Sequence, residues 1–181
     1  MIICRVDKEN LRTILYAFGN LTKTLSEESK KLTRDLADDY QKFLIGNIIN
    51  QRYAGDYPAL SETYLKWKRS HGGQEGFWKL YGDLVNAISI RPTEKGYSVG
   101  IERDALPSQT SSMFEPKKIT PIWQYAMYGE KGRGSFSTMR GHLGSQPARP
   151  VFGPSAEEFK ATFVKKRQEG AFGNIGKAWR K

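Results

Sequence analysis

The feature that most constrains this chain is an amphipathic stripe over residues 25–48. Large apolar side chains recur there at spacings of three, four and seven residues, with Ser, Lys, Asp and Glu between them. The stripe consists of Leu25, Leu32, Leu36, Tyr40, Phe43, Leu44, Ile45 and Ile48. A coiled-coil seam would need more heptads, so the pattern predicts a long helix whose apolar face packs against the rest of the protein.

An earlier helical pattern precedes this stripe. Asp7 is a suitable N-cap for a helix whose apolar residues begin at Leu11 and end at Phe18. Gly19 and Asn20 follow at once, and both residue types disfavour the interior of a helix. We therefore expect a bend or a break between the two helical patterns.

The composition is sufficient for one packed domain. Of the 181 residues, 38% are hydrophobic and 12% are aromatic, which provides enough large side chains for a core. We predict a single α+β domain over residues 1–169 and a flexible tail over residues 170–181. No apolar run approaches the length of about 18 residues that a membrane span needs, so a soluble, unprocessed chain without membrane contact is expected.

Local signals after the stripe predict a small, mostly antiparallel sheet. Residues 93–96 have the composition of a hairpin turn, in which Gly96 supplies a positive φ angle. Strands are expected within residues 87–102 and 149–153. Ser155 and Glu158 have the spacing of a capping box, which predicts a closing helix over about residues 155–168. The predicted architecture is thus a long N-terminal helix packed on this sheet, with a closing C-terminal helix.

Two long stretches are predicted to be mobile loops. Residues 103–119 are rich in serine and proline, and residues 129–149 hold five glycines and few large apolar groups. Between them, Pro121 after Thr120 predicts the start of a helix that ends at Gly129.

The positive charge is concentrated at the C-terminal end. The net charge is +10, and residues 129–181 hold 11 basic but only 4 acidic residues. Such an excess favours contact with nucleic acid, an anionic membrane or an acidic protein surface. The candidates for facing DNA or acidic neighbours are Lys131, Arg133, Arg140, Lys165, Lys166 and Arg167.

Catalytic and cofactor motifs are absent from the sequence. It contains no phosphate-binding loop, no dinucleotide fingerprint, no nucleophile elbow and no metalloprotease motif. Cys4, His71 and His142 are too few for an intramolecular disulfide or a four-ligand zinc site. We therefore expect a protein that is not an enzyme and that has no cofactor, no metal and no catalytic residue.

Four segments, taken in order, resemble the virion-morphogenesis family of long-tailed bacteriophages. Residues 80–88 are similar to the family's Thr-Gly-x-Leu-x-x-Ser-Ile stretch, and residues 97–100 to its x-Val-Gly strand. Residues 125–129 are similar to its Tyr-Ala-x-x-x-Gly segment, and residues 149–155 to its Arg-Pro-hydrophobic-Phe-x-Pro-Ser/Ala segment. The matching motif residues are Gly82, Leu84, Gly100, Tyr125, Gly129, Arg149, Pro150, Phe152 and Pro154.

The resemblance implies a structural role in the virion. Members of this family are tail-completion or neck proteins, which join the DNA-filled head to the tail. It implies a homo-oligomeric ring, with six-fold symmetry favoured, in contact with neighbouring neck and tail proteins and with packaged DNA in its lumen. The expected location is the neck or tail end of the virion.

Two alternatives follow from the residues without the resemblance. The first is a non-specific nucleic-acid-binding protein that acts through its basic C-terminal end. The second, weaker alternative is a small hydrolase or nuclease with an unfamiliar motif; a metal-dependent nuclease would need a cluster of carboxylates within residues 70–128. The acidic residues there are separated by predicted turns and include Asp83, Glu94, Glu102 and Asp104.

Overall fold

The computed structural model describes residues 8–70, 72–73, 76–77, 82–106, 122–137 and 143–179. The described helices are α1 (Lys8–Ile49), α2 (Glu62–Ser70), α3 (Asp83–Asn86), α4 (Ile122–Lys131), α5 (Phe152–Phe159) and α6 (Lys165–Trp179). The described strands are β1 (Ile88–Thr93), β2 (Gly96–Ile101), β3 (Arg133–Ser137) and β4 (Leu143–Gln146). A 3-10 turn covers Ala54–Asp56, and a π-helical segment, Lys160–Val164, joins α5 to α6. The predicted α+β class, with a long N-terminal helix and a closing C-terminal helix, is confirmed.

Helix α1 is a single element of 42 residues. The predicted break at Gly19 and Asn20 is wrong, because the helix continues through both residues. Glycine lowers helix stability by about 1 kcal/mol relative to alanine, which is too little to end a long helix. The hydroxyls of Thr13 and Thr22 also donate to helix carbonyls four residues earlier, at 3.0 and 2.9 Å. The predicted cap Asp7 lies outside the described residues.

The core forms around the C-terminal half of α1. Leu44 and Ile48 are 0% and 1% exposed, as the amphipathic stripe predicts. They pack in one cluster with buried apolar side chains from the later elements. These are Leu84, Ala87, Ile88, Ile122, Ala126 and Val151. The stripe therefore identifies the helix face that organises the fold.

The hairpin β1–β2 lies along α1. Its strands are antiparallel, in a register that runs from Ile88 opposite Ile101 to Thr93 opposite Gly96. Gly96 has φ +141°, which confirms the predicted turn and its need for glycine. The Gln41 amide on α1 donates to the Ile88 carbonyl at 2.8 Å and ties the first strand to the helix.

A continuous helical segment from α5 to α6 closes the fold against α1. Phe159 and Phe163 stack with ring centroids 5.0 Å apart, and both rings contact Phe43 on α1. The predicted end of this helix near residue 168 is wrong, because α6 continues to Trp179, where a flexible tail from residue 170 is predicted; residues 180 and 181 lie outside the described residues. Its glycines lower helix propensity, but contacts with α1 override that preference, including Asn174 Nδ2 donating to Glu28 Oε2 at 3.2 Å.

Two further sequence expectations need correction. Residues 149–153 form no strand: the chain is irregular to Pro150, and α5 begins at Phe152. Where a mobile arm is predicted over residues 129–149, the structure has the last turn of α4 and a second hairpin, β3–β4, with a register shift between Arg133 and Phe136; residues 138–142 lie outside the described residues. Backbone pairing needs no large side chains, which is why a glycine-rich segment can form this hairpin. Of the predicted loop 103–119, residues 103–106 are turn and coil, and the rest lies outside the described residues.

Candidate assembly and nucleic-acid surfaces

The junction between β4 and α5 holds three of the nine predicted motif residues, Arg149, Pro150 and Phe152, and an acidic side chain from α4 closes it. Glu130 Oε1 accepts hydrogen bonds from the backbone N–H groups of Val151 and Phe152 at 2.5 and 2.6 Å. The first N–H groups of a helix have no partner within the helix, and a carboxylate is favoured at this end. Glu130 therefore caps α5 from another element.

This cap replaces the capping box that the sequence predicts. Ser155 lies inside α5 and is 0% exposed, and its hydroxyl accepts a hydrogen bond from Asn47 Nδ2 at 3.0 Å. Glu158 does not reach back to the start of the helix but binds Arg52 and Tyr53. Ser155 and Glu158 therefore have the spacing of a capping box without its hydrogen bonds. Ser155 faces α1, and Glu158 faces the turn that follows α1.

Arg149 is buried, with only 8% of its surface exposed. Its guanidinium donates to the carbonyls of Pro58 and Ala59 at 3.1 and 3.4 Å, and it lies 4.8 Å from the ring centroid of Phe77. Burial lowers the pKa of this guanidinium from its usual value. Within the described part of the chain no carboxylate forms an ion pair with Arg149, so carbonyl dipoles and a ring face stabilise its charge.

Two tyrosines hold the backbone on either side of Val151. The Tyr57 hydroxyl donates to the Pro150 carbonyl at 2.6 Å, and the Tyr40 hydroxyl donates to the Phe152 carbonyl at 3.3 Å. Burial is the main reason that the pKa of each tyrosine is raised. Arg149, Pro150 and Phe152 thus fix one chain segment onto the body of the protein.

A polar network continues from this junction to the end of α1. Buried Asn47 also donates to the Tyr53 hydroxyl at 3.3 Å, and Tyr53 donates to Glu158 Oε2 at 2.8 Å. Arg52 Nε donates to the same oxygen at 2.9 Å, and its Nη2 binds Glu158 Oε1. The hydrogen bond from Arg52 is the largest cause that lowers the pKa of Glu158, and burial raises the pKa of Tyr53.

The other predicted motif residues are spread over the fold. Gly82 precedes α3 with φ +81°, a left-handed conformation that favours glycine, and Leu84 is buried in the core. Gly100 pairs with Ser89 in the first hairpin. Tyr125 and Gly129 lie on α4, and Pro154 lies in the first turn of α5, where proline is tolerated.

The predicted basic residues do not form one cluster. Lys131 is exposed at the end of α4, and Arg133 begins β3. Arg140 lies outside the described residues. Lys165 and Lys166 are exposed, but Arg167 forms an ion pair with Asp39 at 2.6 Å and joins α6 to α1.

Sequence reasoning missed two further lysines on the same helical segment. Lys160 and Lys177 are exposed, one in the π-helical segment and the other near the end of α6. The high density of basic residues after position 129 could have indicated both. With Lys165 and Lys166 they form what we call the C-terminal lysine group.

Sequence reasoning also missed an open groove of about 350 Å³ between α1, the turn of the first hairpin and α5. Apolar and aromatic side chains dominate its lining, including Leu36, Tyr40, Tyr97 and Phe159, with Lys95 at the hairpin turn. Finding it required the packing of three elements that are distant in sequence, which no local pattern provides.

Two searches within the described part of the chain gave negative findings. No group of three or more His, Cys, Asp or Glu side chains there could hold a metal ion. None of the helices described there is long and apolar enough to cross a membrane. In comparisons with known proteins, no family model matches the chain, and neither a curated protein nor a solved structure matches it.

Proposed function

We propose that this protein is a structural subunit of a tailed-phage virion, a tail-completion or neck protein that forms a ring joining the DNA-filled head to the tail. The ring is a homo-oligomer, with six-fold symmetry favoured, and it contacts neighbouring neck and tail proteins. Its role needs no catalysis, and its location is the neck or tail end of the virion.

The observation that carries this proposal is the convergence of the four resembling segments on one core. Leu84, Ala87 and Ile88 come from the first segment, and Val99 from the second packs against the same cluster. Ala126 comes from the third segment, and Val151 with Phe152 from the fourth. Segments that share a core are the part of a chain that a family would retain, while the surface adapts to each partner.

The charge distribution gives separate support for packaged DNA in the lumen. The C-terminal lysine group and Lys131 are exposed, so they can approach phosphates without first breaking a described ion pair. Such contacts depend on the backbone of the nucleic acid and not on its sequence. A ring through which DNA passes needs this kind of contact.

The test is a null mutant of this gene in the phage that carries it, with the lysate imaged by negative-stain electron microscopy. We expect heads and tails of normal appearance that remain unjoined, or tails with an abnormal end. Expression of the wild-type chain from a plasmid should restore joined particles. Complete, infectious particles from the null mutant would overturn the proposal.

A second candidate function, non-specific nucleic-acid binding by the free protein, has the C-terminal lysine group in its favour. Replacing Lys165 and Lys166 by glutamine should then weaken binding to duplex DNA and reduce the slope of log K against log salt by about 2, because each phosphate contact contributes about 0.9. The matched control is the exposed pair Lys30 and Lys31 on α1, also replaced by glutamine. Equal binding by both double variants would argue against this function.

A further inference from the structure

The two outer edges of the first hairpin differ in what they can still bind. Thr93 and Gly96 flank the turn and exchange backbone hydrogen bonds, and so does every second pair of residues from there. The residues between these pairs direct their backbone N–H and C=O groups outward. On β1 this outer edge is a poor one for pairing, because the Ile88 carbonyl already accepts from Gln41 and Pro92 has no N–H to donate.

The outer edge of β2 keeps its pairing groups. Tyr97, Val99 and Ile101 direct their N–H and C=O groups away from β1, and none of these groups has a hydrogen-bond partner in the described part of the chain. The strand carries no charged residue that would repel a partner. A two-stranded ribbon is only marginally stable, and an exposed edge of this kind can pair with a strand of another chain.

This open edge borders the groove between α1, the hairpin turn and α5. Tyr97 and Val99 line the groove, whereas no residue of β1 belongs to its described lining. The rest of the lining includes Leu36 and Tyr40 of α1 and Phe159 of α5. A third strand beside β2 would therefore lie in the groove, with every second side chain over these apolar groups.

The charges at the groove are positive. Lys95 is the only charged residue in the described lining, and its neighbour Glu94 is not part of that lining. Lys30 precedes a lining residue of α1 by three positions, and Lys160 follows a lining residue of α5 by four, so each lies one turn further along the same helix face. All three lysines are exposed and form no ion pair within the described residues. A partner that carries carboxylates would meet opposite charge here.

We infer that the groove binds an extended, acidic peptide segment of another protein, which pairs with β2 as a third strand. N–H and C=O groups that alternate along an edge match a second peptide backbone, and neither a nucleic acid nor a lipid offers both at the spacing of a strand. A strand of a second copy would bring no carboxylate to the lysines. The four described strands contain no Asp or Glu, and β1 and β3 each contain an arginine.

The inference rests on the proposed function only for the identity of the partner, which is then a neighbouring neck or tail protein. Binding itself is a property of the isolated chain and can be measured without the virion. Infectious particles from the null mutant would leave the titrations below unchanged, so failure of the proposed function is a separate result.

The test is a fluorescence anisotropy titration of the full-length protein with a labelled peptide. The peptide alternates Glu and Val, has six residues like β2, and ends in an amide that removes the terminal charge. We expect a Kd below about 1 mM, and no binding when Lys replaces every Glu. Methylating the backbone nitrogens of all Glu or of all Val residues should abolish binding for one choice and spare it for the other, because only every second N–H group faces β2.

Two substitutions in the protein test the charge. Lys95→Glu reverses the charge in the lining, and Lys42→Glu makes the same change at an exposed position of α1 outside the described lining. We expect Lys95→Glu to weaken binding of the acidic peptide by about threefold or more, and Lys42→Glu to change it by less than about twofold. Circular dichroism of both variants checks that the fold is intact.

Several results would overturn the inference. They are a wild-type chain that does not bind the acidic peptide, equal binding of the acidic and basic peptides, and equal binding of the two methylated peptides. A single-stranded oligonucleotide that binds in place of the peptide, and binds less to Lys95→Glu, would assign the groove to nucleic acid. Self-association in sedimentation velocity that is lost with Ala156→Trp, which fills the groove, would assign it to a second copy.

Discussion

The two ends of α1 have similar apolar content and very different surroundings. In residues 8–20, which we call the α1 arm, Leu15 is 62% exposed, while Leu44 near the other end of the same helix is 0% exposed. The second end belongs to the described core cluster, which also includes residues of the first hairpin and α4, and Phe152 of α5 packs against it; no residue of the arm is part of that cluster. Periodicity thus shows which face of a helix is apolar, but the neighbouring elements decide whether that face is buried.

This difference implies two levels of stability within one helix. The end that contains Leu44 and Ile48 can open only when the core opens, because it forms part of that core. The arm can open without disturbing the core, since residues 11–20 are exposed and none of them belongs to the described core cluster. Three experiments test this contrast, in order of decreasing effect on stability.

The largest effect is expected from truncating a leucine at each end. Leu44→Ala should lower the free energy of unfolding by about 2–5 kcal/mol, because it leaves a cavity in the core. Leu15→Ala should change it by less than about 0.5 kcal/mol, as for other exposed positions. Urea denaturation followed by circular dichroism measures both. Equal losses for the two variants would show that the arm is part of the core after all.

A smaller effect is expected from the two glycines of α1. A Cβ added at Gly19 or at Gly46 meets no atom within 4 Å, so neither substitution causes a clash. Gly46→Ala should raise the global free energy of unfolding by about 0.5–1 kcal/mol through helix propensity. Gly19→Ala should slow hydrogen exchange in the arm and leave the urea midpoint unchanged. A rise in the midpoint with Gly19→Ala would mean that arm and core unfold together.

The smallest effect on stability is expected from the ion pair between Arg52 and Glu158, which lies just after the buried end of α1. The pKa of Glu158 is lower in the folded protein than its ordinary value of 4.5, so the folded state favours the ionised carboxylate. The stability that this gives is present above the unfolded pKa and is lost as the pH falls through the folded pKa. Wild type should therefore lose more stability than Glu158→Gln between pH 6 and acid conditions. Parallel pH profiles of the urea midpoint would contradict this.

The sequence predicts the fold best where a local pattern, such as apolar spacing or a turn residue, is matched by the packing around it. The Leu44 and Ile48 face and the turn at Gly96 are confirmed, since each depends on a spacing or a residue type that the chain itself displays. The predicted break at Gly19 is wrong, because one glycine destabilises a helix by only about 1 kcal/mol, which is not enough to end a long helix. The missed hairpin β3–β4 depends on backbone pairing, which side-chain patterns do not display.

The sequence identifies several residues of the site, but it does not show which groups they contact. Arg149 was selected from a motif, but its binding to two carbonyls and a ring involves residues far from it in sequence. Ser155 looked like a helix cap and lies buried against Asn47, since Glu130 occupies the capping role. Arg167 was expected to face a partner, and an acidic side chain on α1 binds it within the chain.

The cap formed by Glu130 also determines how the second hairpin can vary. Glu130 and Val151 are held together by the hydrogen bond at 2.5 Å, so the chain between them is a closed loop with fixed ends. The entropy of closing a flexible loop rises with the logarithm of its length, and doubling the length costs only about 0.6 kcal/mol. Insertions within the hairpin, between Arg133 and Gln146, should therefore be tolerated by the body of the protein, because Arg149 and Pro150 would keep their contacts with it.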